Sequence, residues 1–196
     1  MIHFDYNYFM EAHIGSEHGA SEKELEGMQE SARAALERME REKSAGSLGF
    51  LEIPFDRKVI ADIKTFRGEC ADRFDTIAII GIGGSALGPQ ALKNALSHLY
   101  LNELDAAKRA GRFRAYFFDN VDPFEIEALF DLIDVRKTIF VVISKSGGTT
   151  ETNANFAILL DALKRKSPSG YARQIVAVTD PEKGILRKIA TQEGFV

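Results

Sequence analysis

Seven consecutive residues, Ser144–Thr150, combine four hydroxyl side chains, two glycines and one lysine, Lys145. An apolar, β-branched run precedes them (Ile139–Ile143), and a helical pattern of apolar residues follows. A strand that enters a helix through such a loop directs backbone N–H groups and the positive end of the helix dipole at one point. That geometry binds anions, phosphate above all. The alternative is a tight turn in which Thr149 or Thr150 only caps the helix. Because the hydroxyls exceed what capping requires, we predict an anion site.

A second loop of small residues, Gly81–Ser85, follows an earlier apolar run. With Ala86 it matches the GxGxxA pattern of dinucleotide-binding domains, a short pattern that occurs often. Those domains carry an acid about 20 residues further on, at the end of the second strand. Here the first such acid, Asp119, lies well beyond that distance. No Gly-Lys-Ser/Thr follows the loop, which excludes a nucleoside-triphosphate P-loop. A purely structural alternative is that the glycines bring a strand and a helix close together.

Four strand–helix units position these loops. Strands are predicted at residues 76–80, 114–118, 139–143 and 174–178, and a helical pattern follows each of them. Such alternation is typical of an α/β fold with a doubly wound parallel sheet and helices on both faces. Ligands of these sheets bind at the carboxyl ends of strands where the strand order reverses. Because the first and third strands both end in small-residue loops, we predict that they are neighbours, in the order 2-1-3-4.

Residues 1–49 are predicted to form a helical segment that packs on an α/β domain of residues 50–196. Ser21 and Glu24 make a capping-box pattern ahead of an amphipathic helix over residues 22–43. This segment is interpreted as a peripheral layer of the domain, because 196 residues hardly suffice for two complete domains.

The remaining local predictions concern elements around the sheet. The apolar segment 50–55 is predicted to be extended, and a helix over residues 57–73 follows it. The last helix is predicted to start at Asp180 and Pro181. Apolar residues at helical spacing are predicted to face the core in the helices after the first two strands, among them Leu92, Leu96 and Phe124.

Composition excludes several classes of function. The net charge of −4 and the sequence pI of about 5.6 argue against a general nucleic-acid binder and against adhesion to anionic membranes. A single cysteine, Cys70, fits a reducing compartment and a buried structural role. The four histidines show no familiar metal spacing, and the apolar runs are too short to span a membrane. From this histidine spacing we expect no metal site. No secretory signal is visible, so we expect a cytoplasmic protein.

Two longer motifs carry a resemblance to a known family. The segment Gly81–Pro89, Gly-Ile-Gly-Gly-Ser-Ala-Leu-Gly-Pro, resembles a signature of the glucose-6-phosphate isomerase family. The segment Ser144–Thr152, Ser-Lys-Ser-Gly-Gly-Thr-Thr-Glu-Thr, is similar to the phosphate loop of that family, in its bacterial form. The resemblance runs from about Phe50 to the end of the chain. It implies the sugar-isomerase (SIS) fold, a flavodoxin-like parallel sheet.

The resemblance also implies roles for individual residues. Glu151 would be an auxiliary catalytic residue at the edge of the site. The residues implied in substrate binding are Gly84, Ser85, Ser144, Lys145, Ser146, Gly147, Gly148 and Thr149. The implied activity is the interconversion of glucose 6-phosphate and fructose 6-phosphate in glycolysis and gluconeogenesis, without a redox cofactor. The full-length enzyme is expected to be a homodimer.

One departure from the family qualifies this expectation. The family's principal base, its ring-opening histidine, an arginine and a later lysine all lie beyond the position of residue 196. We therefore expect the chain to be the N-terminal, phosphosugar-binding part of an isomerase, inactive alone. The alternatives are a non-catalytic phosphosugar-sensing module, another sugar-phosphate isomerase and a dinucleotide-binding domain. The length of the glycine signature and the lack of a helix-turn-helix pattern argue against the sensing module.

Overall fold

A computed structural model describes residues 3–196. By the density of internal contacts, the chain divides into two compact units, residues 1–62 and 63–196. The predicted arrangement, with a segment of residues 1–49 packed on a domain of residues 50–196, stays a prediction.

The first unit is built around one long helix. Helix α1 is a single turn, Glu11–Ile14, and α2 spans Glu22–Ser44. The predicted capping box is confirmed, because the Glu24 backbone N–H donates to Ser21 Oγ at 3.2 Å and the Ser21 N–H donates to Glu24 Oε2 at 2.8 Å. The predicted extended segment over residues 50–55 is wrong. Two 3-10 turns replace it, Gly49–Leu51 and Ile53–Phe55, since Pro54 fits the first turn of a helix and has no N–H for a sheet.

The second unit holds a four-stranded parallel sheet. Its strands are β1 (Thr76–Ile80), β2 (Arg114–Phe118), β3 (Thr138–Ser144) and β4 (Ile175–Thr179). Their order in the sheet is β2-β1-β3-β4, which confirms the predicted order. In the register of β1 and β3, Ile80 lies opposite Val142, so β3 continues for two residues beyond the end of β1.

Helices precede, connect and follow the strands. They are α3 (Arg57–Cys70) before β1, then α4 (Gly84–Leu96), α5 (Ala106–Arg109), α6 (Pro123–Leu132) and α7 (Thr150–Lys166) between strands, and α8 (Ile185–Glu193) after β4. Alternate strand residues supply two buried clusters on opposite sides of the sheet. The larger cluster contains Phe140, Val142, Phe156, Leu163 and Leu186, and the smaller one contains Cys70, Phe74 and Ile139.

Some apolar residues with helical spacing lie outside these clusters, against the prediction. The side chains of Leu92 and Leu96 are 63% and 73% exposed, and that of Phe124 is 78% exposed. The buried residue of α4 is the small Ala86 in its first turn, so the later leucines of this helix face solvent. Helix α8 begins at Ile185 and not at Asp180, because the Asp180 side chain accepts two backbone N–H groups in a turn. Cys70 is buried as predicted, and burial raises the pKa of its thiol.

Candidate functional site

Two loops follow neighbouring strands at the carboxyl edge of the sheet. The glycine loop, Gly81–Ser85, follows β1, and the anion loop, Ser144–Thr149, follows β3. Since β1 and β3 are adjacent and parallel, the two loops leave the same edge of the sheet, and the anion loop begins two residues further along the strand direction. The structure therefore brings together the two motifs that the sequence separates by about sixty residues.

Internal hydrogen bonds shape the anion loop. The Ser144 hydroxyl donates to Thr149 Oγ1 at 3.2 Å and thereby closes the loop. The Gly147 N–H donates to the Ser144 carbonyl at 3.1 Å, and the Gly148 N–H donates to Ser146 Oγ at 3.2 Å. Gly147 has a φ of +67°, a left-handed conformation that favours glycine. The loop is thus a compact turn whose first and last hydroxyls touch.

The start of α7 supplies unpaired donors to this loop. Thr149 occupies the N-cap position, but its side chain makes no capping hydrogen bond. The backbone N–H groups of Thr150, Glu151 and Thr152 form the first turn, where a helix offers no carbonyl partner. Their donors and the dipole of a 17-residue helix favour a negative charge beside the loop. The capping alternative considered for Thr149 and Thr150 therefore does not account for the Thr149 hydroxyl.

Burial divides the anion loop into a floor and a rim. Ser144, 2% exposed, and the buried Gly147 form the floor. Lys145, Ser146 and Gly148 are exposed, and Thr149 is half-buried. Glu151 is also exposed, on the first turn of α7. An anion approaching from solvent would therefore meet the lysine and the serine hydroxyl first.

The glycine loop presents a second helix N-terminus. A Cβ atom on Gly81 would lie 2.8 Å from Ser85 Cβ, so strand and helix approach more closely than any larger residue permits. Gly83 has a φ of +58° and occupies the N-cap of α4, where it offers no capping side chain. The Ser85 N–H donates to the Ile82 carbonyl at 3.3 Å, and the Ala86 N–H donates to the Gly83 carbonyl at 3.0 Å. Gly84 is exposed and Ser85 is half-buried in the first turn. The structural alternative, in which glycine brings strand and helix close together, therefore holds for Gly81. At Gly83, the N-cap of α4, no side chain blocks a ligand.

A third segment, after β2, braces both helices, and the sequence reasoning missed it. The Gln90 side chain of α4 donates from Nε2 to Asp119 Oδ2 at 2.8 Å. The Asn155 side chain of α7, 1% exposed, donates from Nδ2 to the Asn120 carbonyl at 2.8 Å. An asparagine on the buried face of a helical pattern, beside Phe156, was the signal that could have revealed the second contact.

Two carboxyl groups near the carboxyl edge have altered acidity. Burial, followed by the charges of Asp119 and Asp122, raises the pKa of Glu125. Two backbone N–H groups of its own turn lower the pKa of Asp180, which follows β4. Neither group belongs to the two loops, where Lys145 and the helix N-termini provide the positive potential.

Within residues 3–196, no group of three or more His, Cys, Asp or Glu side chains could hold a metal ion. His98 follows α4, away from both loops, and its Nδ1 accepts the Tyr100 N–H at 3.0 Å. In the same part of the chain, no helix is both long and apolar enough to cross a membrane.

Comparison with known proteins identifies the family of the chain. The model of the phosphoglucose isomerase family matches residues 55–190, more than half of the chain. The glucose-6-phosphate isomerase of Carboxydothermus hydrogenoformans is 36% identical over 194 residues, which cover 98% of this chain and 41% of that protein. The enzyme of that name from Rubrobacter xylanophilus is 36% identical over 197 residues, covering 100% of this chain and 43% of the relative.

A solved structure gives the same result for the fold. The crystal structure of a hypothetical protein from Thermus thermophilus matches with a TM-score of 0.72 and 33% identity, over 88% of this chain and 39% of that one. The chain spans about two fifths of the length of these relatives. On the family match over residues 55–190 and these identities, the chain belongs to the phosphoglucose isomerase family.

Proposed function

We propose that this chain is the phosphosugar-binding part of a glucose-6-phosphate isomerase and that the anion loop holds the phosphate of the sugar. The observation that carries the proposal is the uncapped N-terminus of α7, next to a loop whose hydroxyls face one another across 3.2 Å. Charge-assisted hydrogen bonds from such donors contribute about 1.5–3 kcal/mol each.

The proposed contacts come from both loops. Ser146 and Thr149 donate hydroxyl protons to the phosphate, and Lys145 supplies a positive charge at the rim. The Ser144 hydroxyl, which donates to Thr149 Oγ1 in the structure, exchanges that hydrogen bond for one to the phosphate. Of the two glycines of the anion loop, Gly148 lets the phosphate approach the backbone, and Gly147 contributes through its left-handed conformation, which turns the loop. From the other side, Gly84 and Ser85 contact the sugar or its phosphate through the first turn of α4.

The reaction moves hydrogen from C2 to C1 and from O2 to O1 of the substrate. A base removes the proton from C2 of the open-chain aldose, and its electron pair forms the C1–C2 double bond of an enediol while the carbonyl pair moves to O1, which takes up a proton. C1 then receives a proton as the C2 hydroxyl loses its own and becomes the ketone. No electrons leave the sugar, so the chemistry requires no redox cofactor. The contribution of this chain is to fix the phosphate end, and such positioning can be worth several kcal/mol. Glu151, exposed in the first turn of α7, has the proposed auxiliary role at the edge of the site.

The remaining groups of the site would come from sequence that the relatives possess and this chain does not cover. The chain matches about two fifths of those relatives. We propose that the principal base and the ring-opening group lie in the other part, in a cytoplasmic homodimer. In that assembly, residues 1–49 would pack on the phosphosugar-binding domain of residues 50–196.

One structural observation favours a second candidate. Asp119 directly follows β2, beside the glycine loop, where dinucleotide-binding domains carry an acid. Against this candidate, the Asp119 carboxylate already accepts a hydrogen bond from Gln90 Nε2, whereas a dinucleotide site uses the acid to bind the ribose hydroxyl.

Calorimetric titration separates the candidates. Glucose 6-phosphate, inorganic phosphate, unphosphorylated glucose and NADH are each titrated into the chain at the same ionic strength. We expect glucose 6-phosphate and inorganic phosphate to bind at one shared site, and unphosphorylated glucose to show no measurable binding. NADH binding that excludes glucose 6-phosphate would favour the dinucleotide candidate, and equal affinity for glucose and glucose 6-phosphate would contradict the phosphate site.

A further inference from the structure

The turn Asp180–Gly184, which joins β4 to α8, packs directly against the anion loop. A Cβ atom on Gly184 would overlap the Ser146 carbonyl oxygen and lie 3.1 Å from Gly147 Cα. Conversely, a Cβ atom on Gly147 would lie 3.2 Å from Gly184 Cα. Two glycine backbones thus meet without side chains between them, and neither position has room for one.

Hydrogen bonds from two helices fix the same peptide group. The Leu186 N–H, in the first turn of α8, donates to the Gly147 carbonyl at 3.2 Å. The Asn153 side chain of α7 donates to the same carbonyl at 3.5 Å. With the Gly147 N–H directed to Ser144, both peptide groups that flank the left-handed residue are held. The conformation of the anion loop therefore depends on α8 as well as on α7.

The turn itself is held rigid by its own contacts. Asp180 Oδ1 accepts the backbone N–H groups of Glu182 and Lys183, each at 2.9 Å. The Arg187 side chain donates from Nε to the Asp180 carbonyl at 3.2 Å. The turn also starts in register with the anion loop, because Thr179, the last residue of β4, pairs with Ser144. A fixed turn can therefore transmit its position to the loop beside it.

We propose that the turn Asp180–Gly184 is a positioning element for phosphate binding and that Gly184 is its positioning residue. The inference rests on the proposed function, since it assigns a role toward the ligand of that same site. Gly184 itself touches no ligand. It acts by allowing the turn to press against Gly147, which keeps the donors of the anion loop directed at one point.

The test compares Gly184→Ala with Gly15→Ala. Gly184 has φ and ψ of 95° and 161°, and Gly15 has 85° and 155°. An alanine therefore introduces similar backbone strain at either position, while a Cβ atom on Gly15 meets nothing within 4 Å. We expect Gly184→Ala to weaken inorganic phosphate binding about tenfold, the loss of roughly one charge-assisted hydrogen bond, and Gly15→Ala to leave it unchanged.

A second pair of variants avoids a folding defect caused by an added atom. Asp180→Ala removes the acceptor that holds the turn without adding an atom. Asp56→Ala is its control, because Asp56 Oδ1 likewise accepts the N–H groups two and three residues ahead, each at 3.0 Å. Both substitutions remove a similar local bond pair, so we expect similar losses of stability. Only Asp180→Ala should weaken phosphate binding, by several-fold.

Amide resonances of the unliganded chain provide a readout independent of affinity. The N–H signals of Gly147 and Gly148 should shift in Gly184→Ala and Asp180→Ala, and stay in place in both controls. Unchanged resonances and affinity in the Asp180 variant would overturn the inference even if Gly184→Ala does not fold. If the unsubstituted chain binds no phosphate, the proposed function fails, and the resonances alone decide whether the turn shapes the loop.

Discussion

Replacing Thr149 by valine separates a helix cap from an anion ligand. The substitution keeps the shape of the side chain and removes only the hydroxyl. In the structure this hydroxyl makes no capping bond and accepts one hydrogen bond, from Ser144 Oγ at 3.2 Å. Because the buried Ser144 hydroxyl loses its acceptor, the expected loss of stability is about 1 kcal/mol. For a chain of this size such a loss lowers the melting temperature by roughly 2–4 °C.

The loss of binding free energy should be larger than the loss of stability. A charge-assisted hydrogen bond to phosphate contributes about 1.5–3 kcal/mol, so Thr149→Val should raise the Kd for inorganic phosphate roughly 10- to 100-fold. Thr149→Ser keeps the hydroxyl and should restore most of the affinity. Thr191→Val is the matched control. It also removes one hydroxyl that makes one hydrogen bond, because the exposed Thr191 Oγ1 donates to the Arg187 carbonyl at 3.0 Å within α8.

Calorimetry and thermal denaturation of the four proteins measure both quantities. If Thr149→Val binds phosphate like the unsubstituted chain, the hydroxyl is not a ligand. A stability loss near 1 kcal/mol with unchanged affinity would instead indicate a purely structural hydroxyl, since removal of an ordinary N-cap costs about that much.

Three further predictions concern charge and turnover. Glu151→Gln should tighten inorganic phosphate binding by up to about fivefold at low salt, since it removes a negative charge beside the anion. The control Glu22→Gln, in the first turn of α2, should leave phosphate binding unchanged. Unchanged binding in both variants would place Glu151 away from the site. Hydrogen bonds from Lys164 and then Tyr171 lower the pKa of Glu193 below the ordinary value of 4.5, so this carboxylate contributes stability above about pH 4.5 that is lost as the pH falls through the folded-state pKa. Urea unfolding of Glu193→Gln should lack that part of the acid dependence, and an identical pH profile would contradict the assignment. In a coupled assay for fructose 6-phosphate, this chain should turn over at least about 100-fold more slowly than the Carboxydothermus relative. The reason is that each acid–base group that we propose to lie outside this chain contributes on the order of 10²–10⁴-fold. Turnover within about tenfold of the relative would contradict the proposed division of the site.

Features that depend on local pattern were predictable from the sequence. The bounds of β1 and β2 agree with the prediction, because the apolar runs are short and end at glycine or polar residues. The strand order followed from the two small-residue loops, since ligand loops meet where the order reverses. The helix after the anion loop, α7 (Thr150–Lys166), followed from the apolar residues at helical spacing beyond the loop.

Features that depend on distant partners were not predictable. The bond between Asn155 and Asn120 joins residues 35 positions apart, and no spacing rule indicates it. Periodicity shows which face of a helix is able to be buried, but not whether another element covers it, so Leu92 and Leu96 were misassigned. The contact of Gly184 with Gly147 likewise requires both βα loops to be placed in space first.

The central claim is that both loops bind one phosphorylated sugar. A titration of the isotope-labelled chain with glucose 6-phosphate, followed by amide resonances, tests it most directly. We predict that the amide resonances of Gly84, Ser85 and residues 144–152 shift together, with one Kd, and return when inorganic phosphate competes. Shifts confined to other parts of the chain, or different dissociation constants for the two loops, would contradict it.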